Sequence, residues 1–161
     1  MFQPKTIKGA KALLFERLAD GPQAGGQPLR VYDVNHLKDS VRKEIMRLLR
    51  TRCPGIRWPA DERDRTVLDY GIPDFSWMSA VNGSDLEQLA QTLTQAIKAY
   101  EPRLLNVTVT VGPSGQSQSE VVSTISGDLP VGSLTEPVTF EILLGLKSGR
   151  ADLIVAGPQV L

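Results

Sequence analysis

The spacing of apolar residues changes once along this chain, and the change falls at a single corner. From Ser84 to Tyr100, Leu86, Leu89, Ala90, Leu93, Ala96, Ile97 and Tyr100 recur at helical spacing. From Leu105 onward, Leu105, Val107, Val109 and Val111 alternate with Asn106, Thr108 and Thr110, the period of a half-buried strand. Between them stands Tyr100-Glu101-Pro102-Arg103-Leu104. Pro102 enforces the break, because it pushes Glu101 out of the α region and has no N–H of its own to donate. In the extended stretch that follows, residues two apart face the same way, so Glu101 and Arg103 project side by side. Strand parity then places Arg103 on the side of Leu105 and Val107, with its stem over the end of the core. An acid and a guanidinium on a stiff corner form either a structural clamp or a plug for a partner.

The pattern upstream is helical. Residues 1–9 read as a tail, and Leu13, Leu14, Phe15 and Leu18 give the short segment 10–19 an apolar side. A helix that short is marginal alone and needs something to pack on. Residues 21–28, rich in Gly, Pro and Gln, read as a linker. A clearer helix over 35–52 follows, with Leu37, Val41, Ile45, Leu48 and Leu49 on one side, ended by Cys53-Pro54-Gly55. Arg57-Trp58-Pro59 reads as loop, residues 60–69 have room for a turn or two of helix, and residues 70–75 read as extended, anchored by Tyr70, Ile72 and Phe75. Ser84-Asp85-Leu86-Glu87 is a capping box that starts the next helix.

Downstream, strands are expected at 104–111, 120–128, 137–146 and 151–156, with connections at 112–115, 130–137 and 148–149. Helices first and hairpin-linked strands afterwards predict an α+β fold: N-terminal helices packed on one face of an antiparallel sheet of three to four strands. The expected organisation is an N-terminal tail, short helix and linker over residues 1–30, then a single domain over 31–161. No internal repeat is visible.

Composition removes several function classes. Eighteen basic and eighteen acidic residues leave no net charge, so no long-range attraction to nucleic acid or anionic lipid is implied. Charge is unevenly spread: Lys38, Arg42, Lys43, Arg47, Arg50 and Arg52 precede an acidic stretch with Asp61, Glu62, Asp64, Asp69 and Asp74. Internal pairing or solvated faces explain this more simply than a ligand. The single cysteine, Cys53, cannot form an internal disulfide, and nothing in the sequence brings it to the single histidine, His36. No apolar run resembles a signal peptide or spans a bilayer, which points to the cytoplasm.

The chemical motifs are weak. Val111-Gly112-Pro113-Ser114-Gly115 lacks the Lys-Ser/Thr pair and following helix of a phosphate loop, so it reads as a hairpin connection. Asp61, Glu62 and Asp64 lack the glycine and twelfth-position glutamate of a calcium loop, and no metal or other cofactor is expected. A glycosidase needs two carboxyl groups, one of them protonated. Glu101 has no evident second carboxylate, and the cation beside it favours the ionised form.

The order of features resembles the wedge-protein family of contractile phage tails that carries the label "lysozyme", and within it the TssE baseplate subunits of type VI secretion systems. The residues that carry the resemblance are Leu13 to Leu18, Ser40-Val41-Arg42, Leu48 to Arg52, Val67 to Phe75, and Tyr100-Glu101-Pro102-Arg103-Leu104. The last two motifs, in this order with a helix between them, are the more specific; the strands match only in pattern. The resemblance implies a non-enzymatic structural subunit at the inner face of the cytoplasmic membrane. Its partners would be the wedge subunits TssF and TssG and the sheath, with no nucleic acid and no membrane insertion. Glu101, Pro102 and Arg103 would be the wedge contact, Leu13, Leu14, Phe15 and Leu18 a second one, and a sheet edge would start sheath polymerisation. The loop from Cys53 to Arg65, with Arg57-Trp58-Pro59 inserted, and the tail from Ala156 to Leu161 depart from the family pattern. The alternatives are a peptidoglycan hydrolase, as the family label suggests, and a small cytosolic anti-adaptor of similar fold, which would not need the Glu-Pro-Arg corner.

Overall fold

The computed structural model describes residues 34–54, 66–115, 117–131 and 134–154. Helix α1 spans Val34–Arg50 and helix α2 spans Gly83–Tyr100. Four strands follow, β1 Leu105–Pro113, β2 Glu120–Val131, β3 Leu134–Gly145 and β4 Ala151–Leu153. They form one antiparallel sheet in the order β1-β2-β3-β4. This is the expected α+β arrangement, with the helices on one side of the sheet.

The core lies between the two layers. Leu37, Val41, Ile45, Leu48 and Leu49 of α1 and Leu89, Leu93, Ala96 and Ile97 of α2 are buried. They meet the alternate residues of the sheet, among them Val121, Ile125 and Leu129 of β2 and Phe140, Ile142 and Leu144 of β3. Helix α2 lies over β1, and α1 reaches β4. Two side chains fix α1 along its length. Lys38 Nζ meets Glu136 at 2.8 Å, and Arg50 Nε donates to the Ala151 carbonyl at 3.0 Å.

The described residues between the helices, 51–54 and 66–82, are pinned to the fold. Ile72 donates to the Thr51 carbonyl at 2.9 Å and Cys53 to the Ile72 carbonyl at 3.1 Å, a short parallel bridge. Gly71 makes this approach possible: it sits at φ 126°, and a Cβ there would lie 2.7 Å from the Thr51 oxygen. Arg52 closes the same junction. Its guanidinium donates to the carbonyls of Leu49 at 2.8 Å and Gly149 at 3.0 Å, and it stacks 4.5 Å over the Phe75 ring. Of residues 60–69, only Val67–Asp69 forms a described turn, a 3-10 helix capped by Thr66.

Four local expectations change. Helix α2 begins at Gly83, so its cap is Asn82, whose Oδ1 accepts from Ser84 N–H at 3.1 Å, and not Ser84. The carboxylate that reaches back is Asp85, which accepts from Ser79 N–H at 2.8 Å. The connection expected over 130–137 is largely strand, because pairing runs on to Val131 and Leu134. Pro130 lies past the last β1 partner, Asp128, and Pro137 past the described pairs with β4, so neither proline removes a described ladder bond. The alternation at the start of β1 is interrupted: Leu104 is buried while Leu105 is 47% exposed. Finally, of the strand expected over 151–156 the structure describes Ala151–Leu153, residues 155 and 156 lying outside the described residues, and its edge is less open than its apolar sequence suggests, since Arg50 holds the Ala151 carbonyl.

Candidate functional site

The corner between α2 and β1 is the most highly specified polar site of the described residues. The helix ends when Glu101 N–H donates to the Ile97 carbonyl at 2.8 Å, and the chain turns as Leu104 N–H donates to the Glu101 carbonyl at 3.1 Å. Within the turn, Glu101 and Arg103 form a two-pronged pair. Arg103 Nε donates to Glu101 Oε1 at 2.8 Å, and Arg103 Nη2 donates to Oε2 at 2.6 Å. The Arg103 main-chain N–H adds a third bond to Oε1 at 3.2 Å. The remaining arm, Nη1, crosses to α1 and donates to Ser40 Oγ at 2.9 Å. One ion pair therefore joins the end of α2, the approach to β1 and the buried side of α1.

Burial divides the triplet. The Glu101 side chain is 4% exposed and that of Arg103 20%, whereas Pro102 is exposed. Glu101 thus faces inward with both oxygens occupied, and Pro102 is the apex. Arg103 does not follow the parity of Leu105 and Val107. Leu105 pairs with Asp128 and Thr108 with Ser126, which leaves one extra residue on β1. Asn106, at φ 51°, takes up that residue, and its amide donates to Asp128 at 2.8 Å. Opposite this bulge is Gly127, where a Cβ would lie 2.8 Å from Leu104 Cγ and 2.9 Å from the Leu105 oxygen. Ser40 and Gly127 are parts of this site that the sequence reading did not assign a role. The first stands there only within the motif Ser40-Val41-Arg42, and the second is not singled out.

Beside the corner runs a groove of about 980 Å³, lined by Arg47, Thr51, Val67, Tyr70 and Tyr100 among others. The Tyr70 and Tyr100 rings meet edge to face at 5.2 Å. Burial raises the Tyr70 hydroxyl above its ordinary pKa, with Glu44 and Glu101 adding to the effect and Arg47 opposing it. Val67 stands almost fully open at this rim, and its neighbour Leu68 is also exposed. Leu13, Leu14, Phe15, Leu18, Asp61, Glu62 and Asp64 lie outside the described residues. Among the described residues, no group of three or more His, Cys, Asp or Glu could hold a metal ion, and no helix is long and apolar enough to cross a membrane.

The model of one protein family, the baseplate wedge protein gp25 family, matches residues 35–132, a span that takes in both helices but for Val34, the corner and the whole β1–β2 hairpin. The chain belongs to this family. Its fold is also similar to that of a chain in a solved structure, "The baseplate complex from the type VI secretion system". That match has a TM-score of 0.50 at 20% identity, covering 68% of this chain and 94% of the other. No curated protein sequence matches. In this chain the corner is a pre-assembled turn whose outward group is a proline and whose charges are engaged internally.

Proposed function

We propose that this chain is a non-enzymatic structural subunit of a contractile injection machine, a type VI secretion baseplate wedge component. In this reading it joins the core bundle formed by TssF and TssG to the sheath and helps to start sheath polymerisation on the cytoplasmic side of the membrane. The carrying observation is the wedge-family match over residues 35–132, which contains a corner locked by a two-pronged ion pair. A turn fixed before docking loses little conformational freedom on binding, which favours a contact surface. Pro102 and the exposed edge of Arg103 would touch the wedge bundle, with Glu101 holding them from behind. The groove along Tyr70 and Tyr100 adjoins that surface. Residues Leu13, Leu14, Phe15 and Leu18 would supply a second contact. An open strand edge of the sheet is a template for a strand from a sheath subunit.

The glycosidase reading is poorly supported, because an acid catalyst must reach its substrate and Glu101 is buried against an arginine. The test is association of the purified subunit with a TssF–TssG complex, compared with Glu101→Ala/Arg103→Ala under conditions where both remain folded. Binding should weaken at least tenfold, about 1.4 kcal/mol. Unchanged binding, or weakening that only tracks unfolding, would remove the corner from the interface.

A further inference from the structure

The outer side of α1 carries a row of cations between two hollows. Arg42, Lys43, Arg47 and Arg50, with Met46 and with Leu153 of β4, line a hollow of about 380 Å³ whose described lining contains no acid. Arg47 and Arg50 also line the larger groove, opposite Val67, Tyr70 and Tyr100, so they form the ridge between the two. Three positions apart on a helix, they stand on one face about one turn, ~5 Å, from each other.

The two guanidinium groups are only partly used. Arg47 gives Nη1 to Glu44, while Arg50 gives Nε to the Ala151 carbonyl at 3.0 Å and Nη2 to Asp152 at 3.4 Å. A guanidinium has several N–H donors in a fixed fork, so Arg47 keeps Nε and Nη2 for another acceptor and Arg50 keeps Nη1. Both side chains are more than half exposed, at 55% and 57%. Lys43 is exposed and takes part in none of the described ion pairs. Across the ridge the character changes: Tyr70 and Tyr100 make an edge-to-face wall, and Val67 is 90% exposed. An apolar trough with cations along one flank is complementary to an amphipathic helix whose apolar face is bordered by carboxylates. A nucleic acid would use the cations and leave the trough unfilled.

We propose that this groove is a docking site for an acidic amphipathic helix of another protein. Its apolar face fills the trough against Val67, Tyr70 and Tyr100, and carboxylates one turn apart on its flank take the spare donors of Arg47 and Arg50. Arg42 and Lys43 add attraction from behind the ridge. The inference does not rest on the wedge reading, since it is tested on the isolated full chain with a synthetic helix and no secretion component.

The probe is a fluorescein-labelled, alanine-based helical peptide with a row of leucines flanked by glutamates one turn apart, and the readout is fluorescence anisotropy. It should bind at least tenfold more tightly than the same peptide with glutamine for glutamate, and this preference should shrink as salt rises. Lys43→Glu/Arg47→Gln should abolish the preference, whereas Lys98→Glu, a charge reversal on the exposed side of α2, should leave it intact. Lys43→Glu alone, a change outside every described ion pair and so without cost to the fold, should weaken binding at least threefold. Equal affinity for the two peptides, affinity insensitive to the α1 variants, or no binding at all would each overturn the proposal. Binding that emerges only in Asp61→Asn/Glu62→Gln/Asp64→Asn would make the chain's own acidic stretch the occupant. Phosphatidylserine vesicles that capture the chain through Lys43 and Arg47 in place of the peptide would assign the surface to lipid. Either of these results also overturns it.

Discussion

The Glu101 carboxylate accepts three hydrogen bonds from Arg103 and has almost no exposure, so its role is to position its neighbours. An exposed ion pair of this kind would contribute only about 0–1 kcal/mol. This one is largely desolvated, and removing one partner of a buried pair costs about 3–5 kcal/mol. Arg103 keeps some contact with water and with Ser40, so the cost should fall below that range. Glu101→Gln, which preserves shape and removes the charge, should lower unfolding free energy by about 2 kcal/mol. Chemical denaturation checks it: the midpoint should fall at an unchanged slope. A shift under about 0.5 kcal/mol, typical of surface changes, would mean that the pair is effectively solvated.

At the scale of elements, the described residues 66–82 ahead of α2 are held by short polar caps. The N–H and hydroxyl of Thr66 hold the Asp69 carboxyl below its ordinary pKa. The N–H and hydroxyl of Ser76 do the same for Asp74, with a smaller pull from Arg52. A depressed carboxyl pKa stabilises the folded form above the unfolded value, about 3.9 for aspartate, and that contribution is lost as pH falls through the folded value. Local opening of residues 66–76 should therefore increase as pH drops below about 4. Hydrogen-exchange protection, corrected for the intrinsic rate, should fall there before it falls in the central pair β2 and β3. Uniform loss across the molecule would show that the caps do not limit this segment. The same principle explains the displaced start of α2, where Asn82 and Asp85 together satisfy donors that Ser84 and Glu87 were expected to serve.

For the whole molecule, the two-layer arrangement encloses one packed interior between the helices and the sheet. A subunit with this role should not cleave glycan. Purified protein incubated with peptidoglycan should release no muropeptides above a buffer control, and release abolished by Glu101→Gln would reverse the reading. Much of the architecture follows from local pattern. The positions of α1 and α2, the order of helices before strands, and the break at Pro102 come from spacing and from proline stereochemistry, which act over a few residues. The pairing of Glu101 with Arg103 was likewise visible as an adjacent acid and base. What only the tertiary structure decided is where that pair points. Its inward orientation depends on Ser40, 63 residues away, and on the space that Gly127 leaves for Leu104. The bulge at Asn106 reset the parity of β1, and the prolines of the β2–β3 hairpin fall outside the described pairs with β1 and β4. These outcomes turn on contacts between distant segments, and periodicity along the chain carries no record of which segments will meet.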